Sequence, residues 1–323
     1  MRIISGFRKR SIEVPDETGY KIDFDYAVEL FKDAYMVDEW SQRTLNYHLE
    51  NLTAFKKFLT TQAVNISLIS AKTLDEYVKS MKNADKKKNT INGRVKTLRV
   101  FFRILNEKEY IPDNPALGLK TIRGPKPEIF PFSDEQINAL LAQPDRTTFA
   151  GLRDYMIMQI LLDTGVRLEE LCNIKYSDVN LKTCRILVRK GKGNKSRTVL
   201  FGSETRRTIM KYLKVTGDLD AETNLILNQD GNPLKQRSVQ DRISLHASAA
   251  GLKGVRPSPH TFRHTFAKKF LMNGGDPYVL RDLLGHNSMS TVIIYLRLFS
   301  DDLAKKYQGK SPVDSILRKK INQ

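Results

Sequence analysis

Between Pro112 and Pro131 the chain carries Pro112, Pro115, Gly124, Pro125, Pro127 and Pro131. Proline fixes φ and removes a backbone donor, so neither a helix nor a central strand continues through such a stretch. The sequence must therefore fold as two bodies joined by a linker, placed at 121–131, and 323 residues are enough for two ordinary cores.

Upstream of the linker the apolar residues recur with a helical period. Leu45, Leu49, Leu52, Phe55 and Leu59 follow Ser41 at gaps of three and four, which puts them on one face of a helix that Ser41 caps. Ile91, Val95, Leu98, Phe102 and Leu105 form a second stripe after the basic run Lys86, Lys87, Lys88. Two such stripes need each other, and they define a small helical domain over 23–120. Residues 1–22 carry mixed charge, Pro15 and Gly19 with no sustained period, and are expected to form an arm. The lysine run alone reads as a solvated loop or helix end.

Downstream, Ser133 and Gln136 make a capping box, with Phe132 and Ile137 spaced for the accompanying hydrophobic staple, so the second domain, 132–323, opens with a helix. Arg185-Ile186-Leu187-Val188, a Gly-rich turn at Gly191 to Asn194 and Thr198-Val199-Leu200 read as a hairpin. The rest reads mostly as helix, and no period of 20 to 50 residues repeats. The expected fold class is mainly α with a small β-sheet (α+β).

The formal charge of +18 favours a polyanionic partner, nucleic acid ahead of an anionic membrane surface. No apolar run approaches the roughly 20 residues that span a bilayer. The basic opening from Met1 to Arg10 lacks the apolar stretch of a secretory signal, so a cytoplasmic location is expected. Cys172 and Cys184 stand without a Cys-x-x-Cys partner, which argues against a disulfide framework and a zinc site.

Four clusters in the second domain could carry chemistry. In Thr164-Gly165-Val166-Arg167-Leu168-Glu169-Glu170-Leu171 an apolar helix breaks at Gly165 and restarts with an arginine. Arg167 is either a surface arginine or a guanidinium fixed to grip a phosphate through two parallel hydrogen bonds. Lys190-Gly191-Lys192-Gly193-Asn194-Lys195 is a good turn sequence and equally a way to bring a lysine close to a ligand; its spacing is not that of a P-loop. His260 and Arg263 sit three apart on one helical face, with Phe262 and Phe266 turned toward a core. His260 and His264 have the spacing of a metal pair, but the Glu of a His-Glu-x-x-His motif is missing, so no metal is expected. Leu283-Leu284-Gly285-His286 ends a helix that Pro277 opens, and Ser290 can cap the next, which carries Tyr295. A lone tyrosine there is ordinarily packing. Together, however, the clusters supply each part of a phosphodiester transesterification once: arginines for the non-bridging oxygens, histidines to shuttle protons, a lysine for the leaving oxygen and a tyrosine to attack phosphorus.

Thr-Gly-x-Arg-x-x-Glu-Leu at 164–171, Gly-Lys-Gly-Asn-Lys at 191–195, His-x-x-Arg-His at 260–264, Leu-Gly-His at 284–286 and Tyr295 nine residues on resemble, in kind and order, the motifs of the tyrosine recombinase (phage integrase) family. The first domain is similar to that family's SAM-like core-binding domain by pattern alone. The resemblance implies that Arg167 and Arg263 clamp the scissile phosphate, Lys192 protonates the 5′-oxygen, His260 moves a proton near the nucleophile and His286 bonds a phosphate oxygen. Tyr295 would form a 3′-phosphotyrosyl link, and Glu170 would orient the site from behind. It further implies a C-shaped clamp on duplex DNA with inverted-repeat sites, a homotetramer joined by exchange of the tail after Tyr295, accessory proteins as further partners, and no cofactor. Lys86, Lys87, Lys88 and Lys195 become candidate DNA contacts. A mobile-element integrase or transposase is the expected role. A Xer-type dimer resolvase, a type IB topoisomerase-like enzyme and a catalytically idle DNA-binding protein stay open as alternatives.

Overall fold

The computed structural model describes residues 22–37, 41–59, 65–124, 130–189, 196–217, 219–285, 288–298 and 313. The chain divides into two compact units, Met1–Lys126 and Pro127–Gln323. No helix among the described residues is long and apolar enough to cross a membrane.

The first unit is built from α1 (Phe24–Val37), α2 (Gln42–Leu59), α3 (Ala71–Asn83) and α4 (Lys88–Glu107). Helix α4 packs against the other three. Its buried residues include all five of the expected stripe, Ile91, Val95, Leu98, Phe102 and Leu105, and Phe101 joins them. On α2, Leu45, Leu52 and Phe55 are buried, whereas Leu49 and Leu59 pack at the margin. The Ser41 hydroxyl accepts from the Thr44 N–H at 3.2 Å, the cap the sequence suggests. Helix α1 brings Phe24 and Phe31 edge-on or tilted to Phe101, with centroids 5.7 and 5.5 Å apart. Each such fully buried ring contributes roughly 1.5–3 kcal/mol. Inside this core His48 Nδ1 lies 2.9 Å from Thr97 Oγ1, and Asn51 donates to the same hydroxyl at 3.0 Å. The lysine run lies at the start of α4: Lys86 and Lys87 are exposed ahead of it and Lys88 is its first, half-buried residue.

The second unit contains α5 (Asp134–Leu141), α6 (Phe149–Thr164), α7 (Leu168–Cys172), α8 (Ser203–Thr216), α9 (Gln236–Ala249), α10 (Pro259–Met272), α11 (Pro277–Leu284) and α12 (Ser290–Leu298). Helix α5 opens with both halves of the Ser133–Gln136 capping box. Helix α6 is the central rod, flanked by α8, α9 and α10, which is why Leu152, Met156, Ile157, Met158, Ile160 and Leu161 are buried around most of its circumference. Buried in it, Asp154 accepts from Arg153 and, across to α9, from Arg242 Nε at 2.6 Å, with His246 Nε2 at 2.9 Å. Strands β1 (Val179–Asn180), β2 (Arg185–Val188) and β3 (Arg197–Leu200) form an antiparallel sheet in that order, Ile186 opposite Val199. Ile186, Val188 and Val199 enter the core while Leu187 and Leu200 face outward, the alternation of a sheet covered on one side. Strands β2 and β3 are the hairpin that the sequence predicts, whereas the two-residue β1 is not predicted.

Candidate active site

The site grows from two left-handed turns. Gly165 ends α6 at φ 59° and Gly285 ends α11 at φ 64°, a conformation in which a Cβ is disfavoured. At the first break the chain restarts as α7, with Arg167 at its N-cap and the Glu170 carboxylate accepting from the Arg167 N–H at 2.8 Å. The second break exposes the last carbonyls of α11, the negative end of that helix.

Three arginines converge on those carbonyls from separate elements. Arg197 of β3 donates from Nε to Leu283 O at 2.7 Å. Arg263 of α10 donates from Nη2 to Leu284 O and from Nη1 to Gly165 O, both at 2.7 Å, so its fork ties the two breaks together. Arg167 reaches Gly285 O through Nη2 at 3.5 Å, a long contact. Glu170 lies between two of them. Its Oε1 accepts from Arg167 Nη1 at 2.8 Å and Arg197 Nη1 at 2.9 Å, and its Oε2 accepts from Arg197 Nη2 at 2.7 Å. Burial pushes the Glu170 carboxyl up, but the Arg197 fork, the Arg167 N–H and the Arg167 guanidinium outweigh it and hold it down at about 2. Burial, then the neighbouring charge of Arg167, lowers Arg263 to about 10, which leaves it charged at neutral pH.

The nucleophile candidate lies alongside. Tyr295 of α12 is 2% exposed and packs with Phe266, Leu280, Leu284 and Val292. Burial raises its pKa and the charge of Arg263 pulls against that. Its Oη is 2.8 Å from His264 Nδ1. Burial, then His260 and Arg263, lowers His264 to about 4, so the imidazole is neutral at pH 7. His260, one turn back on α10, is exposed and also lowered, by partial burial and then by Arg263, Arg167 and Arg256.

The structure thus brings together Arg167, Glu170, His260, Arg263 and Tyr295 of the residues singled out in the sequence. Lys192, Lys195 and His286 lie outside the described residues. Two members escaped the sequence reading. Arg197 gives no signal in the sequence, where the returning strand is read from Thr198; it is the first residue of β3. His264 enters the sequence analysis as a spacing partner of His260 and as the last residue of the His-x-x-Arg-His motif, with no role of its own, whereas its ring faces Tyr295, with centroids 5.6 Å apart. A smaller difference concerns α12: Ser290 is its first residue, and the hydroxyl that accepts from the Ser290 N–H at 3.1 Å is that of Ser288.

A carboxylate shared by two guanidiniums, with a third buried cation beside them, leaves a surplus of positive charge next to a tyrosine hydroxyl. Such a surplus is suited to holding an anion, and one that gains charge during reaction most of all. Comparison with known proteins agrees. The phage integrase family model matches residues 132–301, and the model of the phage integrase N-terminal SAM-like domain matches 28–109. The tyrosine recombinase XerC of Bacillus pumilus is 30% identical over 295 residues, covering 88% of this chain and 96% of that protein. Among solved structures, a lambda integrase tetramer bound to a Holliday junction gives a TM-score of 0.72 at 16% identity, covering 85% of this chain and 77% of that one. The Tn1549 transposon integrase in complex with a circular intermediate DNA gives 0.68 at 18%, covering 83% and 94%. These two likenesses show the fold. The chain belongs to the phage integrase family and is a tyrosine-type, DNA strand-transferring site-specific recombinase.

Proposed function

We propose that the protein cuts and rejoins duplex DNA through a 3′-phosphotyrosyl intermediate. Tyr295 Oη attacks phosphorus, the P–O5′ bond breaks, and the freed 5′-oxygen takes a proton from Lys192. Arg167 and Arg263 hold the non-bridging oxygens as charge builds on them, and His286 donates to one of the same oxygens. The 2.8 Å contact to His264 Nδ1 supports that residue, in place of His260, as acceptor of the tyrosine proton, in the tautomer that carries its proton on Nε2. The observation that carries the reading is the guanidinium cluster around the carbonyl end of α11, beside the Tyr295 hydroxyl.

For the partner, we propose duplex DNA bearing inverted-repeat sites, bound by an N-terminal core-binding domain over 23–120 and by a catalytic domain over 132–323, with four protomers joined by tail exchange. Lys86, Lys87, Lys88 and Lys195 are assigned to the phosphate backbone. The match to XerC along nearly its whole length favours a Xer-type resolvase over the mobile-element integrase that the sequence reading preferred. The basic opening at residues 2–10 supports the second role.

The test is to incubate the purified chain, in EDTA, with nicked duplexes tiled from the DNA flanking its gene, beside Tyr295→Phe. A covalent protein–DNA band made by the wild type and lost in the variant is expected. Salt-sensitive DNA binding without any band would leave a catalytically idle binding protein. A plasmid with two direct copies of the cleaved site then separates the roles: a resolvase converts it into two circles, whereas an integrase requires a second, different site.

A further inference from the structure

We infer that Arg197 is a positioning residue for strand cleavage, one that keeps Arg167 available to the phosphate by taking the larger share of the Glu170 carboxylate. The inference rests on the phosphotyrosyl reading above.

Arg197 makes three hydrogen bonds of 2.7–2.9 Å from three different nitrogens, so its guanidinium is fully directed inward. Two of them run in parallel to both Glu170 oxygens, the strongest geometry open to such a pair, while the Arg167 guanidinium meets only Oε1. The side chain of Arg197 is 11% exposed and that of Arg167 is 27% exposed. Hence Arg197 is the buried partner and Arg167 the one with a face left for a ligand. Without Arg197, Glu170 would turn its whole charge on Arg167 and draw that guanidinium inward, cancelling the field a phosphate needs.

The third bond has a separate consequence. It holds Leu283 O, next to Leu284 O that positions Arg263, and the Arg197 side chain lies within 3.1 Å of where a Cβ on Gly285 would stand. Arg197 therefore fixes from below the turn on which both other arginines rest. A misplacement of about 1 Å at such a centre costs on the order of 100-fold in rate. Lysine cannot replace it, since one ammonium cannot span a carboxylate in parallel and reach a carbonyl behind it.

The experiment compares wild type, Arg197→Met, Arg197→Lys, Glu170→Gln and the double variant Arg197→Met/Glu170→Gln on the nicked duplex that the wild type cleaves. It measures the rate of covalent complex formation at saturating DNA, DNA affinity in a Tyr295→Phe background, and thermal unfolding. Expected are losses on the order of 100-fold in rate for both Arg197 variants, with affinity held within about threefold. Removing the carboxylate charge should relieve Arg167, so the double variant is expected to cleave no slower than Arg197→Met alone. A merely structural role would make the losses multiply, and that result overturns the inference. If Arg197→Met fails to fold, the folded Arg197→Lys decides: a wild-type rate overturns the inference, a loss with affinity intact supports it. A wild type that forms no covalent complex refutes instead the phosphotyrosyl reading on which all this rests.

Discussion

Replacing Glu170 by glutamine keeps the shape of the side chain and removes the charge that two guanidiniums share, so it tests the electrostatic construction of the site most directly. The Glu170 side chain is 6% exposed and its carboxyl is held at about 2, against an ordinary 4.5. That difference corresponds to about 3 kcal/mol in favour of the ionised folded state. Breaking a buried ion pair from one side independently costs about 3–5 kcal/mol, because the cations are left without their partner. For a unit of this size 1 kcal/mol moves the unfolding midpoint by about 2–4 °C, so the expected loss at pH 7 is about 6–12 °C. The pH dependence has a fixed sign. A depressed carboxyl contributes stability that is complete above 4.5 and is lost as pH falls through about 2. The gap between wild type and variant should therefore be flat at neutral pH, narrow below 4.5 and nearly close by pH 2. Calorimetry or circular dichroism of both proteins across that range makes the comparison. A loss under about 1 kcal/mol at pH 7, or a gap that widens with acid, would refute the reasoning.

Arg263→Lys should leave DNA affinity nearly intact and lower covalent complex formation by on the order of 100- to 1,000-fold, read on a denaturing gel, because one ammonium cannot hold both Gly165 O and Leu284 O. Gly285→Ala places a Cβ 3.1 Å from the Arg197 side chain at φ 64°, and should cost about 1–3 kcal/mol in thermal unfolding along with a loss of cleavage. Changing Lys86, Lys87 and Lys88 together to glutamine should reduce the slope of log affinity against log salt by about 2–3 without altering which sequence is cleaved; an unchanged slope would return that run to a solvated helix start.

What the sequence made legible follows the range of the interactions. The stripes of α2 and α4 and the hairpin β2–β3 are encoded by periods of 3.6 and 2, which a reader recovers without knowing what they pack against. Helix α6 is apolar on most of its faces and shows no stripe, since neighbours cover it from several sides. In the site, the break at Gly165 and the one-turn spacing of His260 and Arg263 are local and readable. Arg197 is not: its partners lie 27 residues back at Glu170 and 86 residues on at Leu283, and one of them is a main-chain carbonyl, which any residue type supplies. His264 has no readable role for a related reason, because its partner is 31 residues away on another helix.

Leu284 and Gly285 act as one mechanical unit at the end of α11. Leu284 is fully buried, so packing against Phe266, Leu280 and Tyr295 sets the depth at which its carbonyl stands. Gly285 then turns the chain through a left-handed conformation that terminates α11 and leaves the carbonyls of 283, 284 and 285 without helical partners. Each takes an N–H from a different arginine. A carbonyl orients a guanidinium but carries only a partial charge, so it holds the cation without neutralising it, which a carboxylate in the same place would do. The single shared carboxylate at Glu170 and the carbonyl end of α11 thus divide the work: one limits the repulsion among the arginines, the other aims them. A site assembled this way stays electropositive after folding, and that retained charge is what a phosphodiester gaining negative charge requires.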